Sequence, residues 1–219
     1  MPQAQPSAPK PSGAPTQREQ RTAMRREQIL RAATEIFGSR GYRNGSLAEI
    51  AEQVGMTHAG ILHHFGSKNQ LLLEVLDHRD AADVKHLEGR HPPEGLELFR
   101  HLVETARLNA GRPGIVQTYA VLSADSVTDD HPAQQYFRDR FTELREMIAR
   151  SLRQVCDPDR MPTGDQLDTA ASAIIGVMDG LQVQWLLDDA NVDLPAATAF
   201  AIDAILTALV AGRTGDRLT

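Results

Sequence analysis

The chain has 219 residues, 41% hydrophobic and 24% charged, an ordinary globular composition sufficient for one large domain or two small ones. No run reaches the ~18 apolar residues of a membrane span, no apolar signal core stands near the N-terminus, and the single cysteine, Cys156, excludes an intramolecular disulfide framework. The net charge of −6 argues against nucleic acid only until it is mapped, because residues 1–68 hold nine Lys/Arg against five Asp/Glu while residues 69–219 hold fourteen against twenty-four.

Residues 1–20 are rich in Pro, Ala, Gln and Ser, with prolines at 2, 6, 9, 11 and 15. Such a segment buries no core and is expected to be disordered. A helix is predicted over residues 22–39, with Ile29, Ala33, Ile36 and Phe37 as its buried stripe and Gly41 as its stop. Arg25 and Arg26 near its start are candidates for phosphate.

Residues 46–68 read as two short helices joined by a tight turn. Ser46 followed by Glu49 has the capping-box spacing, and Leu47, Ile50, Ala51 and Val54 recur at helical period. Gly55 supplies the left-handed backbone that ends a helix, and Met56 packs the turn. Thr57 can cap a second helix whose buried side is Ile61 and Phe65, leaving Thr57, His58, Ala59, Gly60, Leu62 and His63 facing out. A helix, a glycine turn and a second helix with a small, polar tip is the arrangement that enters a DNA major groove. Gly66 and Ser67 then restart the chain, with Lys68 in the first turn of a helix start suited to phosphate.

The motif Ile50-Ala51, Val54-Gly55-Met56-Thr57, Ile61, His63-His64-Phe65 and Ser67-Lys68 resembles the N-terminal signature of the TetR family of bacterial transcriptional regulators. Upstream, Ile29-Leu30-Arg31-Ala32-Ala33, Phe37 and Gly41-Tyr42 match that family's first helix and its end. The specific resemblance covers about residues 25–76, and the remaining helices match only loosely. Leu62 and His64 depart from it, since the family often carries aromatic residues there, and Leu62 lacks the aromatic hydroxyl that would reach phosphate.

The body is predicted to be helical throughout, over residues 67–87, 96–110, 115–124, 130–155, 166–187 and a last helix after Pro195. Breaks at 89–93, 111–114 and 156–158 separate these helices, and no alternating β-branched run appears. In the next-to-last helix Leu167, Ala171, Ile174, Met178, Leu181 and Trp185 alternate by four and three, the seam of helices packed at shallow angles. Gly176 and Gly180 lie on a neighbouring face, and the last helix carries a wide stripe of Phe200, Ile202, Ile205, Leu206, Leu209 and Val210. A broad apolar stripe must be covered. The resemblance implies that a second subunit covers it, in an intermolecular four-helix bundle.

The expected class is therefore all-α with about nine helices. It divides into a disordered tail (1–20), a three-helix helix-turn-helix DNA-binding domain (21–66) and a larger ligand-binding and dimerisation domain (67–213). DNA contacts are expected from Arg25, Arg43, Ser46, Thr57, His58, Ala59, Gly60, Leu62, His63 and Lys68. The resemblance implies a small-molecule effector among the central helices, with Tyr119, His131, Phe137, Phe141, Met178, Asp179, Gln182 and Trp185 as candidate lining. The aromatic residues and Met178 are residue types more often found as plain core, and His131 before Pro132 reads also as a helix cap. No cofactor or metal is expected, since the histidines lack ligand spacing. No Gly-rich phosphate loop or nucleophile motif supports an enzyme, which with a non-DNA helical interaction protein is the alternative reading. The resemblance implies a cytoplasmic homodimer that binds double-stranded operator DNA, represses, and is released by its effector.

Overall fold

A computed structural model describes residues 16–84 and 93–210. The tail at 1–15, the break at 89–92 and the end of the body domain beyond 210 lie outside the described residues. Among the described residues the fold is all-helical, in the order α1 (Gln17–Asn44), α2 (Leu47–Gln53), α3 (His58–Phe65), α4 (Lys68–Val84), α5 (Leu96–Ala110), α6 (Pro113–Asp125), α7 (Gln134–Val155), α8 (Gly164–Leu187) and α9 (Leu194–Val210).

Helix α6 takes in Pro113 and Gly114 from the expected break and α8 begins two residues early, at Gly164, but two starts differ more from the sequence expectation. Helix α1 begins at Gln17, inside the stretch read as disordered, because Thr16 and Glu19 form a capping box that overrides the Pro-rich composition before it. Helix α7 begins at Gln134 instead of residue 130, since Asp130 takes a positive φ of 58° and Pro132 follows two residues later. Between them, α1 runs through Gly41, where φ is 72° and the helix kinks.

Three apolar clusters hold the chain. The first joins α1–α4 to the body: Ile29, Phe37, Ile50, Ile61, Leu71 and Leu72 pack with Tyr119, Leu122 and Phe137 from α6 and α7. The second unites α5, α7, α8 and α9 around Leu98, Leu152, Leu167, Ala171, Ile174 and Ile202, with Cys156 buried at its edge. Burial pushes the Cys156 thiol up, which keeps it unreactive. The third is small and places Trp185 against Ala106, Val116 and Leu194.

Helix α8 is long and apolar enough by composition to cross a membrane, with a mean hydropathy of 1.3 over 18 residues. Counting uninterrupted apolar runs does not register this. The reason for the composition lies in the packing. One face of α8 (Leu167, Ala171, Ile174) is in the second cluster. The opposite face carries Ala173, Gly176, Gly180, Val183 and Leu187 and is open. A Cβ built on Gly176 or Gly180 would meet nothing within 4 Å. On α9, Phe200 is 78% exposed.

Candidate nucleic-acid interface and ligand cavity

The head forms as its local signals dictate. Ser46 Oγ accepts from Glu49 N at 3.1 Å while the Glu49 carboxylate accepts from Ser46 N at 3.1 Å. These bonds hold the Glu49 carboxyl below the usual range. Gly55 has φ 65° and Gly66 φ 74°, so the stops at both helix ends use the left-handed backbone. Thr57 Oγ1 accepts from Gly60 N at 3.1 Å and so caps α3.

That geometry leaves Thr57, His58, Ala59 and His63 exposed along one side of α3. Gly60 is half-buried, and a Cβ there would come within 3.1 Å of Met56 Cε, so its small size also serves the turn. Leu62 leans inward and packs on the first apolar cluster. Of the outlying cations, Arg25 is exposed and reaches Gln28 at 3.0 Å. Arg43 donates to the Asp129 carbonyl at 3.3 Å, reaching back to the body. Lys68 donates to the Arg43 carbonyl at 3.3 Å with its ammonium 4.4 Å from the Tyr42 ring centre, and burial lowers its pKa. Arg26 is engaged inside the head, on the His64 carbonyl, the Glu74 carboxylate and the Phe65 ring.

Head and body meet along α1 and α6, the most extensive helix pair in the fold. The helices approach so closely that a Cβ on Gly38 would fall 2.3 Å from Thr118 Oγ1 and 3.1 Å from its Cα. Thr118 Oγ1 lies 3.0 Å from the Thr34 carbonyl and 2.8 Å from the Gly114 carbonyl. At the kink, the Asp125 carboxylate accepts from Tyr42 N at 3.1 Å. His131 stacks edge-on to Tyr42, 5.2 Å between ring centres, and its Nδ1 accepts from Ala133 N at 3.2 Å. It therefore belongs to this seam, with its pKa lowered chiefly by burial.

The other face of α6 borders a cavity of about 270 Å³ against α8, lined by Tyr119, Ser123, Val127, Asp179, Gln182 and Val183, among others. Of the eight predicted lining residues, Tyr119, Asp179 and Gln182 meet there. Phe137 and Phe141 stack beside Tyr119 in the first cluster, Met178 packs on the second, and Trp185 is core in the third. A polar network backs the cavity. Asp80 accepts from Arg79 at 2.9 Å, from Arg140 at 2.7 Å and from the Tyr136 hydroxyl. The Arg79 guanidinium lies 4.2 Å from the Tyr119 ring centre. Sequence reading missed Arg79 and Arg140, though both stand at stripe positions: Arg79 continues Leu72 and Leu76, and Arg140 sits between Phe137 and Leu144. Burial raises the Asp179 carboxyl to about 6, against the pull of Arg79 and Arg140.

Comparison with known proteins agrees with this geometry at both ends of the chain. The family model for tetR-family bacterial regulatory proteins matches residues 29–75, and that for the C-terminal domain of BetI-type transcriptional repressors matches residues 97–210. The regulator TtgR of Pseudomonas putida is 28% identical over 180 residues, 77% of this chain and 83% of its own length. Among solved structures, the SmeT–triclosan complex superposes with TM-score 0.67 at 19% identity, covering 89% of this chain and 98% of that one. A transcriptional regulator from Saccharomonospora viridis in complex with choline gives 0.62 at 23%, covering 84% and 96%. The capped helix-turn-helix on a helical body is thus the shared architecture, and the chain belongs to the TetR family of bacterial regulatory proteins, as a DNA-binding transcriptional repressor.

Proposed function

We propose that two copies of this chain bind an inverted-repeat operator, each placing the α3 tip in a major groove, and that a small effector in the α6–α8 cavity weakens that binding. The observation that carries the reading is the position of α6. One side of it grips α1 through Thr118 and Asp125, and the other walls the cavity through Tyr119 and Ser123. A ligand that displaces α6 therefore displaces the helix that carries the head, and by linkage DNA and effector weaken each other.

For the bases, Thr57, His58, Ala59 and Gly60 lead, with Ala59 suited to a thymine methyl. Arg25, Ser46 and His63 are positioned for phosphate, and Lys68 and Arg43 hold the end of α1 while keeping further N–H donors for phosphate. The tip has no Arg, Asn or Gln, so much of the sequence preference comes from DNA shape. Dimerisation uses the open face of α8 around Ala173, Gly176 and Leu187 with Phe200 of α9, where Gly176 admits a close backbone and Phe200 supplies bulk, while Gly180 and Val183 border both this face and the cavity. That contact would also turn the apolar face of α8 inward, in keeping with a cytoplasmic protein. The bound molecules of the structural neighbours, triclosan and choline, support an organic effector of small size.

Selection from random duplex DNA at two salt concentrations tests this. Enrichment of an inverted repeat with half-sites about one to one and a half turns apart, weakened by salt, is the expected result. Phe200→Glu is expected to give a folded monomer by sedimentation that has lost the repeat. Failure of a folded dimer to enrich any sequence at low salt would overturn the DNA-reading assignment.

A further inference from the structure

Two hydrogen-bond acceptors on the α6–α8 cavity, those of Asp179 and Gln182, make no hydrogen bond to the described residues. Asp179 and Gln182 stand three residues apart on one face of α8 and both line the cavity. Gln182 is only 7% exposed, and its Oε1 is buried without a hydrogen-bond partner. The Asp179 carboxylate, half-buried, makes no hydrogen bond or ion pair within the described residues. The groups that face it are the Arg79 guanidinium from α4, the Arg140 guanidinium from α7 and the Tyr119 ring from α6. Both guanidiniums are committed to Asp80, as is Tyr136, and neither comes within ion-pair distance of Asp179. Tyr119 stays neutral because burial raises its pKa. Among the residues that line the cavity, Asp179 is thus the one charged group.

A half-buried carboxylate and a buried amide oxygen with no protein donor are costly unless a donor arrives. We propose that the effector is a small protonated amine whose N–H groups bridge Asp179 and Gln182, with its apolar part against Ala120, Ala124, Val127 and Val183. The inference rests on the reading of this cavity as the effector site. Each alternative head group leaves something unmet. A carboxylate would face Asp179. A hydroxyl donates but leaves the charge unpaired. A quaternary ammonium brings charge but no N–H, so it leaves Gln182 unsatisfied. The short side chains of the walls and the volume of about 270 Å³ keep the apolar part small.

The test is calorimetric titration of the full chain with four probes of one shape: 2-phenylethylamine, trimethyl(2-phenylethyl)ammonium, 2-phenylethanol and 3-phenylpropionate. At pH 8 the amine is expected to bind tightest, about tenfold or more ahead of the others. At pH 5 its affinity should fall about tenfold, because Asp179 takes up a proton while the amine stays charged. Asp179→Asn should bring the amine down to the alcohol and remove the pH dependence. Gln182→Leu should erase the lead of the amine over the quaternary ion. The ranking on the unmutated chain needs no variant to fold. If the alcohol or the carboxylate matches the amine while Ala124→Phe, which plugs the cavity, abolishes binding, the effector site stands and the amine assignment falls. If no probe binds, or if Ala124→Phe leaves binding intact, both fall.

Discussion

The head and the body solve the same packing problem to different degrees of completion. In α1–α3 the buried set is apolar, and the polar groups that could strain it are used as caps: Thr16 with Glu19, Ser46 with Glu49, Thr57 with Gly60. Buried polar atoms without a partner do occur elsewhere among the described residues: His131 Nε2 at the seam, Arg140 Nε and Gln182 Oε1 beside the cavity, and Thr198 Oγ1 on α9. A reading head must hold one geometry to match fixed base edges, so full satisfaction serves it. On the proposed reading of the cavity, the body keeps polar capacity in reserve for a molecule that arrives later, and it gives up some stability of the empty state to do so.

Substitutions sharpen this contrast, beginning with the largest. Phe37→Ala removes a fully buried ring shared by head and seam and should cost about 3–5 kcal/mol in denaturant unfolding. Gly38→Val forces a side chain onto the Thr118 backbone; the expected loss is about 1–3 kcal/mol, with weaker operator binding, since the seam must open. A Gly38→Val protein as stable as the parent would mean that α1 and α6 are not tightly coupled.

Asp179 tests the body by pH. Its folded pKa of about 6 lies above its ordinary 3.8, so the folded state binds the extra proton. Stability should therefore fall as pH rises from about 4 to 6 and then level off, by roughly 1–3 kcal/mol. Asp179→Asn should flatten that slope and be the more stable protein at pH 8. A profile unchanged by the substitution would show that the carboxylate is already solvated.

Matched caps give a smaller and symmetrical effect. Ser46→Ala in the head and Thr163→Ala, which breaks the capping box of α8, should each cost about 1 kcal/mol by thermal unfolding. Smallest is Gln182→Leu, which replaces an unsatisfied amide and should leave stability unchanged or raise it by about 1 kcal/mol. A large loss there would mean that the amide already has a partner in solution.

What was legible in the sequence follows the range of the forces involved. Ser46, Gly55, Thr57 and Gly66 act on neighbours within four residues, so their roles stand in the chain itself, and the helix-turn-helix could be drawn from them. The buried stripes of α1 and α8 were legible for the same reason, as period alone sets a helix face. Arg43 and Lys68 were not, because their partners, the Asp129 and Arg43 carbonyls, are brought near by tertiary packing across 86 and 25 residues. His131 looked like pocket lining or a cap, and only the seam shows that it meets Tyr42. The Thr16–Glu19 capping box was present in plain sight, hidden by a composition reading that weighed prolines over local spacing.

Helix α6 has two faces with separate tasks, and this has a consequence for change over generations or in the laboratory. Positions 118, 122 and 125 belong to the grip on α1 and 120, 123 and 124 to the cavity, while Tyr119 serves both. Residues of the second set can be exchanged without disturbing the first. On the proposed reading of the cavity, the chemical taste of the receptor can thus be rewritten while its transmission to DNA is kept, which makes α6 the natural place to graft new specificities when such a protein is turned into a biosensor.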